Sequence, residues 1–282
     1  MNARSSSLIL RTTNNNNDKI NNMSKKHDSN PKINRLIWDI ETSPNIAFLW
    51  RSGYKLNVGP HNILKERAII CICYKWEGSK KVHSLKWDGG DDRQLLVDFL
   101  EVAKKADELV AHNGDRFDIK WFNTRCLFHG LEPIGDWKTV DTLKIAKKYF
   151  SFNSNRLDYL GRFLVGDCKS DDGGFDTWKD IILNDCPVAM KRMVKYCKQD
   201  VNLLEQVWKQ LEPYHKPKTH VGTLNGAEKW TCPWTGSENV IKSKTRYTAA
   251  GTRQHQMQSK ETGGYFTISE KSFKEYLEAK YN

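Results

Sequence analysis

Four acidic residues lie along the chain in sequence contexts that could place them around one site. Asp39 and Glu41 stand two apart in the apolar run INRLIWDIE, so in a strand both side chains project from the same face. Burying a carboxylate is costly unless the group is solvated, paired or bound to a metal. The pair could therefore share a divalent cation, or it could be two solvated acids on an edge strand.

Asp118 follows a short apolar run and a turn, in the sequence LVAHNGDRFD. The turn contains Asn113 and Gly114, and Phe117 and Asp118 open a helical segment. An acid in the first turn of a helix is ordinarily a partner of the helix dipole. The preceding strand would nevertheless deliver Asn113 and Asp118 to the sheet edge where α/β proteins bind ligands.

The segment KRMVKYCKQDVNLLEQVW contains Tyr196 and Asp200, which are four apart and therefore neighbours on one face of a helix. Apolar residues at helical spacing predict its packed side, and these are Met193, Val194, Val201, Leu204 and Val207. A core tyrosine beside a solvated aspartate would give the same pattern. Each segment alone leaves its chemistry open.

The elements that position these acids are predicted from hydrophobic periodicity. The run from Ile33 predicts a strand, and AIICICYKW and KVHSLKW predict two more that are separated by the turn EGSK, in an antiparallel opening sheet. Residues 91–106 predict a helix with acids first and lysines last. A short buried strand, ELVAHN, precedes the helical segments FDIKWFNTRCLF, DTLKIAKKYF, NRLDYLGRFL and the stretch from Pro187 to about Glu212.

Asn155 is predicted as a helix cap and Pro187 as a first-turn proline. Strands first, then a strand joined by a helix, then helices only, indicate an α/β or α+β domain with one sheet. Residues 33–214 are predicted to form this domain, and residues 215–282 a Gly-, Thr- and Lys-rich appendage.

Residues 1–32 are poor in large apolar side chains and are predicted to be disordered. Their first 17 residues faintly resemble an organellar transit peptide, since they contain basic, Ser and Thr residues and no acid. Met23 opens MSKKHDSNP just ahead of the first strand and is the favoured start, which would leave residues 1–22 as an upstream extension.

The net charge of +11 comes from 45 basic and 34 acidic residues and lies mostly at the two ends of the chain. Residues 1–32 carry 6 basic and 2 acidic residues, residues 213–282 carry 11 and 6, and the remainder carries 28 and 26. A basic surface suggests a polyanionic partner, although solubility alone explains such a charge equally well. No run of about 18 apolar residues occurs, so no membrane span is predicted.

Seven cysteines are scattered along the chain, often in apolar surroundings such as AIICICY. Their odd number and spacing predict reduced, buried thiols of an intracellular protein, in the cytoplasm or nucleoid of a cell or infected host. No two of them form a CxxC knuckle, which excludes a four-cysteine zinc site.

The segments DIE, HNxxxFD and YxxxD, in this order over residues 39–200, resemble the three motifs of the DnaQ-like, or DEDD, exonuclease superfamily. The tyrosine of the third motif is typical of its DEDDy subgroup. The sequence looks most like the stand-alone exonucleases, often of phages, that are related to the proofreading domain of family B polymerases. The resemblance covers about residues 33–214 and includes the connecting stretches VDTLKIAKKYF, SNRLDYL and GFDTWKDII.

The resemblance implies a ribonuclease H-like fold with a central mixed sheet flanked by helices, followed by a small C-terminal β-rich appendage. It implies that two metal ions are held by Asp39, Glu41, Asp118 and Asp200. Tyr196 would orient the attacking water. The residues implied to bind the terminal nucleotide are Thr42, Ser43, Asn113 and Phe117.

The function implied is that of a 3′-5′ exonuclease that releases 5′-mononucleotides, with single-stranded DNA as the favoured substrate. Hard oxygen ligands without Cys or His favour two Mg²⁺ or Mn²⁺ ions, and no zinc is expected. Replication or repair proteins are candidate partners. The alternatives are a 3′-5′ exoribonuclease and a non-catalytic nucleic-acid-binding module of a replication complex. Metal-dependent release of mononucleotides would separate the enzymes from the binding module, whereas the sequence does not separate DNA from RNA as the substrate.

Residues 232–266 resemble a zinc ribbon that sometimes follows this exonuclease domain. Of its four cysteines only Cys232 is present, and Thr235, Ser259 and Thr262 stand at the other positions, so a degenerate ribbon without metal is predicted. Basic residues interleaved with Tyr247 suit a phosphate-backbone surface, and these are Lys242, Lys244, Arg246 and Arg253. A solvated basic hairpin is at least as compatible with this pattern.

Overall fold

The computed structural model describes residues 33–53, 56–167 and 174–281. The chain forms two compact units, one over Ile33–Thr219 and one that includes the residues from His220 onward. The predicted disorder of residues 1–32 and the predicted burial of Cys168 lie outside the described residues. Within the described ranges, no helix has both the length and the apolar content that crossing a bilayer requires.

The described residues of the first unit form seven strands, five of which make up one mixed sheet in the order β5-β4-β1-β6-β7. β1 is the central strand, antiparallel to β4 on one side and parallel to β6 on the other. The strands are β1 (Arg35–Thr42), β2 (Ile46–Ala47), β3 (Ile63–Lys65), β4 (Ile69–Trp76), β5 (His83–Lys86), β6 (Glu108–Ala111) and β7 (Thr139–Asp141).

Six α-helices within the described part of the first unit accompany this sheet, which confirms the predicted ribonuclease H-like α/β architecture with one mixed sheet. The antiparallel opening strands β1, β4 and β5 are confirmed as well. The helices are α1 (Arg93–Ala103), α2 (Asp118–Phe128), α3 (Thr142–Tyr149), α4 (Leu157–Val165), α5 (Gly174–Asn184) and α6 (Pro187–Leu211).

Alternation along β1 divides its side chains between two layers. Trp38 is fully buried and stacks on Phe99 of α1, with ring centroids 4.7 Å apart, and it meets Phe122 of α2 edge to face. Asp39, its neighbour in the chain, points the other way, where Cys197 of α6 contacts it. The helix α6 therefore covers the face from which Asp39 and Glu41 project.

A buried ionic network fixes the beginning of β1 to the end of α6. The Arg35 guanidinium donates to Glu108 at 2.9 Å, to Glu77 at 3.2 Å and to Glu212 at 2.6 Å. Although burial disfavours its charge, the hydrogen bond to Glu108 and the other acids raise the pKa of Arg35. The Trp208 indole donates to Glu77 at 2.8 Å, so the network also orients the last turns of α6.

Pro187 lies in the first turn of α6, as predicted, whereas the prediction of Asn155 as a cap is wrong. The N-cap of α4 is Arg156, one residue later, and its side chain makes no capping hydrogen bond. The Asn155 carbonyl instead pairs with His112 Nε2 at 2.9 Å, so a contact with a distant loop sets the conformation there.

The helix predicted over residues 91–106 spans only Arg93–Ala103, and the acids predicted within its first turn precede it. Asp92 is its N-cap residue and receives two hydrogen bonds from Arg125 of α2, at 2.7 and 2.8 Å. Although burial opposes ionisation, hydrogen bonds from Arg125, the Ile69 amide and His129 lower the pKa of Asp92. This acid therefore ties α1 to α2 rather than acting only on a helix dipole.

The second unit contains a three-stranded antiparallel sheet in the order β10-β9-β8, which confirms the β-rich appendage. Two helices were not predicted there: a single turn, α7, and a twelve-residue helix, α8, that packs on the sheet through Phe273 and Tyr276. The elements are α7 (Val221–Leu224), β8 (Val240–Tyr247), β9 (Arg253–Ser259), β10 (Tyr265–Ser269) and α8 (Glu270–Tyr281).

Candidate active site

Three of the four predicted acids meet at one point of the first unit. Carboxylate oxygens of Asp39, Glu41 and Asp200 all lie within 4.8 Å of one another. Asp39 and Glu41 are half-buried, while Asp200 is only 1% exposed. Like charges at this separation repel, so a cation bound between them would stabilise their ionised form.

The central strand sets the positions of the first two acids. Asp39 pairs with Cys73 and Glu41 with Cys71 on the antiparallel neighbour β4, so the strand register is fixed across both. The register shifts between Glu41 and Thr42, and such irregularities change the direction of side chains at the end of a strand. The Cys197 thiol of α6 lies 3.7 Å from Asp39 Oδ2, and burial raises its pKa well above the ordinary value, so this thiol carries its proton beside Asp39.

Asp118, the fourth acid, is held against the same strand. It lies in the first turn of α2 and is 2% exposed, and its Oδ1 accepts a hydrogen bond from the Ile40 amide at 3.2 Å. Ile40 stands between Asp39 and Glu41, so this contact brings the fourth carboxylate to the strand that carries the first two.

The helix α6 supplies Asp200 together with Tyr196. Tyr196 lies one turn before Asp200 and is half-buried, which places its side chain on the same helical face. Four of the five apolar residues predicted to pack this helix are fully buried, and Val194 is half-buried. The anchored helix therefore holds Asp200 at the sheet while Tyr196 keeps partial access to solvent.

The loop between β6 and α2 positions the predicted residues Asn113 and Phe117. Asn113 adopts a left-handed conformation with φ of 63°, which Asn tolerates better than most residues. Its amide donates to Asp141 Oδ1 at 2.9 Å, and its carbonyl accepts from the Phe117 amide at 3.0 Å. Burial raises the pKa of Asp141, whose Oδ2 makes no hydrogen bond within the described part of the chain.

Thr42 and Ser43, predicted to contact the terminal nucleotide, follow Glu41 directly, and Thr42 is the last residue of β1. The Thr42 carbonyl accepts a hydrogen bond from the Trp178 indole of α5 at 3.0 Å. Ser43 is buried; its amide donates to the Ala68 carbonyl, and its hydroxyl oxygen accepts from the Ala68 amide, at 2.9 Å each. The Ser43 amide is thus already used, the hydroxyl keeps its own proton to donate, and the substrate contact stays a prediction.

A pocket of about 290 Å³ begins at Thr42 and combines aromatic and cationic groups. Phe175 and Trp178 of α5 line it together with Arg67. The Arg67 guanidinium carbon lies 4.7 Å from the ring centroid of Trp121, and its Nε makes no hydrogen bond to any described residue. The pocket therefore offers rings for stacking and guanidinium donors for an anion, next to the carboxylates.

Thr42 and Ser43, which were predicted as substrate-binding, line this pocket, whereas its aromatic and cationic residues were not predicted as functional. Phe175 and Trp178 are three apart in GFDTWKDII, and Thr177 and Ile181 are the buried residues of the same helix. Helical spacing alone could have shown that the two rings share a face other than the packed one. Arg67 carries no comparable signal, because only the fold brings it to α5.

The donor set fits a divalent cation with hard oxygen preference. Asp39, Glu41 and Asp200 supply only carboxylate oxygens. Carboxylates without thiolate or imidazole suit Mg²⁺ or Mn²⁺. These three acids could hold a metal ion, whereas Asp118 is placed only by its hydrogen bond from the Ile40 amide, and its part in the metal site stays a prediction.

Comparisons with known proteins agree with this architecture. Residues 65–212 match the RNase_H superfamily, and the chain belongs to that superfamily. An 83-residue stretch is 36% identical to a DNA polymerase III PolC-type of Ureaplasma parvum serovar 3, which corresponds to 29% of this chain and 6% of that protein.

The fold also resembles that of a much larger solved protein. The family B DNA polymerase from the hyperthermophilic archaeon Pyrobaculum calidifontis superposes with a TM-score of 0.50 and 16% identity, over 65% of this chain and 25% of that chain. This chain therefore spans only a small part of each of these polymerases, and the second likeness is one of fold alone.

Proposed function

We propose that the chain is a metal-dependent 3′-5′ exonuclease of the DEDDy subgroup, close to the stand-alone phage-type enzymes. It would release 5′-mononucleotides from single-stranded DNA. The observation that carries this proposal is the convergence of Asp39, Glu41 and Asp200 within 4.8 Å, with Asp118 bonded to the same strand. A protein that only bound nucleic acid would gain nothing from four acids facing a phosphate.

Two bound cations would supply a water that is nucleophilic at neutral pH and would neutralise the leaving 3′ oxygen. Asp39 and Glu41 of β1, Asp118 of α2 and Asp200 of α6 would hold them. Tyr196 would orient the attacking water through its hydroxyl, from the helical turn before Asp200. Each of these residues acts on a phosphodiester and not on a particular base.

The pocket beside Thr42 supports the binding of one nucleotide unit. Phe175 and Trp178 would stack on a base, and such stacking is tolerant of sequence because every base has a π-face. Arg67, which lines the same pocket, would contribute the positive charge of its guanidinium to a phosphate oxygen. Asn113 and Phe117 are proposed, from their motif, to fix the orientation of the terminal nucleotide.

End-labelled oligonucleotides test the proposal directly. Single- and double-stranded DNA and RNA with a 5′ label are incubated with Mg²⁺, Mn²⁺ or a chelator, and products are separated on a sequencing gel. The expected result is a ladder that shortens one nucleotide at a time with either metal and stays intact with chelator. Internal cuts, or early release of the labelled 5′ nucleotide, would contradict the proposed polarity, and faster cleavage of RNA would favour an exoribonuclease.

Replacement of Tyr196 by Phe is expected to slow the chemical step about 100-fold, the lower end of what a side chain that takes part in proton transfer contributes, because the hydroxyl that orients the attacking water is lost. Single-turnover rates and oligonucleotide affinity in chelator are measured separately, and the affinity is expected to stay unchanged. Tyr149→Phe, on the partly exposed end of α3, serves as the matched control. An unchanged single-turnover rate would remove Tyr196 from the mechanism.

Replacement of Arg67 by Gln is expected to raise KM about tenfold with kcat within about threefold, because one charge-assisted contact to phosphate is lost. Steady-state hydrolysis of a short DNA oligonucleotide in Mg²⁺ measures both constants. Arg93→Gln, at the exposed start of α1, removes the same charge away from the pocket. Equal changes in the two variants would show that only the overall charge of the protein matters.

A further inference from the structure

The sheet of the second unit has one covered face and one open face. His255 and Met257 of β9 are fully buried on the covered face, where His255 stacks on Phe273 of α8 at 3.8 Å and bonds to Glu270 at 2.7 Å. Side chains alternate along a strand, so the residues between them point to the opposite face. The described helix α8 packs on one side of this sheet only.

The strand register defines the open face as three rows of side chains, each with one residue from β8, β9 and β10. The middle strand contributes a glutamine to every row. The rows are Ile241, Gln258 and Tyr265; Lys244, Gln256 and Thr267; and Arg246, Gln254 and Ser269.

The chemistry of this face is cationic at one edge, amide in the middle and aromatic at one corner. Lys244 and Arg246 are exposed, and Tyr265 is 54% exposed. The side chains of Gln254 and Gln256 make no hydrogen bond to any described residue. The three strands contain no Asp or Glu, so no carboxylate of their own neutralises the cations.

The register separates these two cations from the other basic residues of the sheet. Lys242 pairs with the buried Met257, and its ammonium lies 4.8 Å from the Phe273 ring centroid, on the covered face. Arg253 lies 3.5 Å from Glu270 and faces the same side, as does its strand partner Tyr247. The predicted basic surface of these strands is therefore split between two faces.

We propose that the open face, the surface formed by these three rows, binds a single strand of nucleic acid. Lys244 and Arg246 are two residues apart on a strand and so about 7 Å apart along it, which lets each contact a different phosphate. The glutamine amides carry both donors and acceptors, as base edges do, and Tyr265 is placed to stack on a base.

Amides next to cations favour a nucleic acid over other polyanions. An acidic peptide would use the two cations but has no planar rings or base edges for Tyr265 and the glutamines. A membrane surface would require an apolar row, whereas only one row contains a large aliphatic residue, Ile241. That the bound nucleic acid is also the substrate of an exonuclease rests on the proposed function. Binding of nucleic acid to the open face does not depend on that proposal.

Salt-dependent binding by the full chain tests the proposal. A fluorescent 20-nucleotide poly-dT strand is titrated with Lys244→Ala/Arg246→Ala protein in chelator, which prevents metal-dependent hydrolysis. The control is Lys271→Ala/Lys274→Ala, which removes two exposed charges from α8. We expect about tenfold weaker binding for Lys244→Ala/Arg246→Ala and unchanged binding for the control. The slope of log binding constant against log salt concentration is expected to be smaller in magnitude by about 1.4 for the first variant, since each single-strand phosphate contact contributes roughly 0.7.

Tyr265→Ala supplies a second, uncharged readout and is expected to weaken binding about 5- to 100-fold with an unchanged salt slope. Equal losses in the two charge variants, or an unchanged slope, would overturn the proposal. Competition by an acidic peptide as strong as that by poly-dT would overturn it in favour of a protein partner. Hydrolysis of a four-nucleotide substrate by the parent chain is measured in parallel. If the parent chain binds poly-dT through the open face but does not hydrolyse this substrate, the proposed nuclease activity is contradicted and the proposal for the open face stands.

Discussion

An Asp200→Asn variant is expected to release mononucleotides at least about a thousandfold more slowly than the parent chain, which corresponds to roughly 4 kcal/mol of transition-state stabilisation. The amide has the shape of the carboxylate but lacks its charge, so the packing of α6 is preserved while a metal ligand is weakened. Hydrolysis of a 5′-labelled DNA strand in Mg²⁺ measures the rate. Asp39→Ala is expected to have a comparable effect.

Asp136→Asn is the matched control, because Asp136 is exposed and lies away from the cluster. Binding of the strand in chelator is expected to persist in all variants. Without metal, Asp200→Asn is expected to have equal or higher thermal stability, because one of three mutually repelling carboxylates is gone. Full activity of the purified variant, or the same loss in Asp136→Asn, would refute the assignment of the cluster as the active site.

Replacement of Arg35 by Met is expected to lower the free energy of unfolding by about 3–5 kcal/mol, because breaking a buried ion pair leaves an uncompensated charge. The charge left behind is Glu108, whose side chain is fully buried and pairs with Arg35 at 2.9 Å. Denaturant unfolding at neutral pH measures the loss. Arg93→Met, at an exposed position, is expected to change stability by less than about 0.5 kcal/mol.

The double variant Arg35→Met/Glu108→Gln separates the two causes of this destabilisation. If the unpaired Glu108 charge is responsible, its replacement by a neutral amide is expected to recover part of the lost free energy of unfolding. No recovery in the double variant would mean that lost packing, and not an orphaned Glu108 charge, causes the effect.

Residues with a strong local pattern were predictable from the sequence. The alternation of RLIWDIET placed Asp39 and Glu41 on one face of a strand, and helical spacing placed Tyr196 and Asp200 together. The fold class followed from the order of such segments. The convergence of these segments in space could not be read from their periodicity, and it was expected only from the resemblance to an exonuclease family.

Residues whose surroundings come from distant parts of the chain were not predictable. Asn155 has the chemistry of a cap, but His112 binds its carbonyl and the helix begins one residue later. Arg67 reaches the pocket at α5 only because the fold brings the two together. The register of β8 against β9 decided which basic residues share a face. A strand made mostly of basic and polar residues has no apolar alternation that would fix this register to the residue, so it could not be predicted from the sequence.

The position of Asp39 against α6 has a consequence for the order in which the site forms during synthesis. The contact between Asp39 and Cys197 joins residues that are 158 positions apart, and Asp200 lies beyond Cys197. A ribosome-bound chain that carries β1 and α2 but not yet α6 lacks one acid of the cluster and the helix that covers its face. The cluster would therefore stay incomplete in the nascent protein until the end of its first unit has emerged, because only long-range folding brings Asp200 to β1.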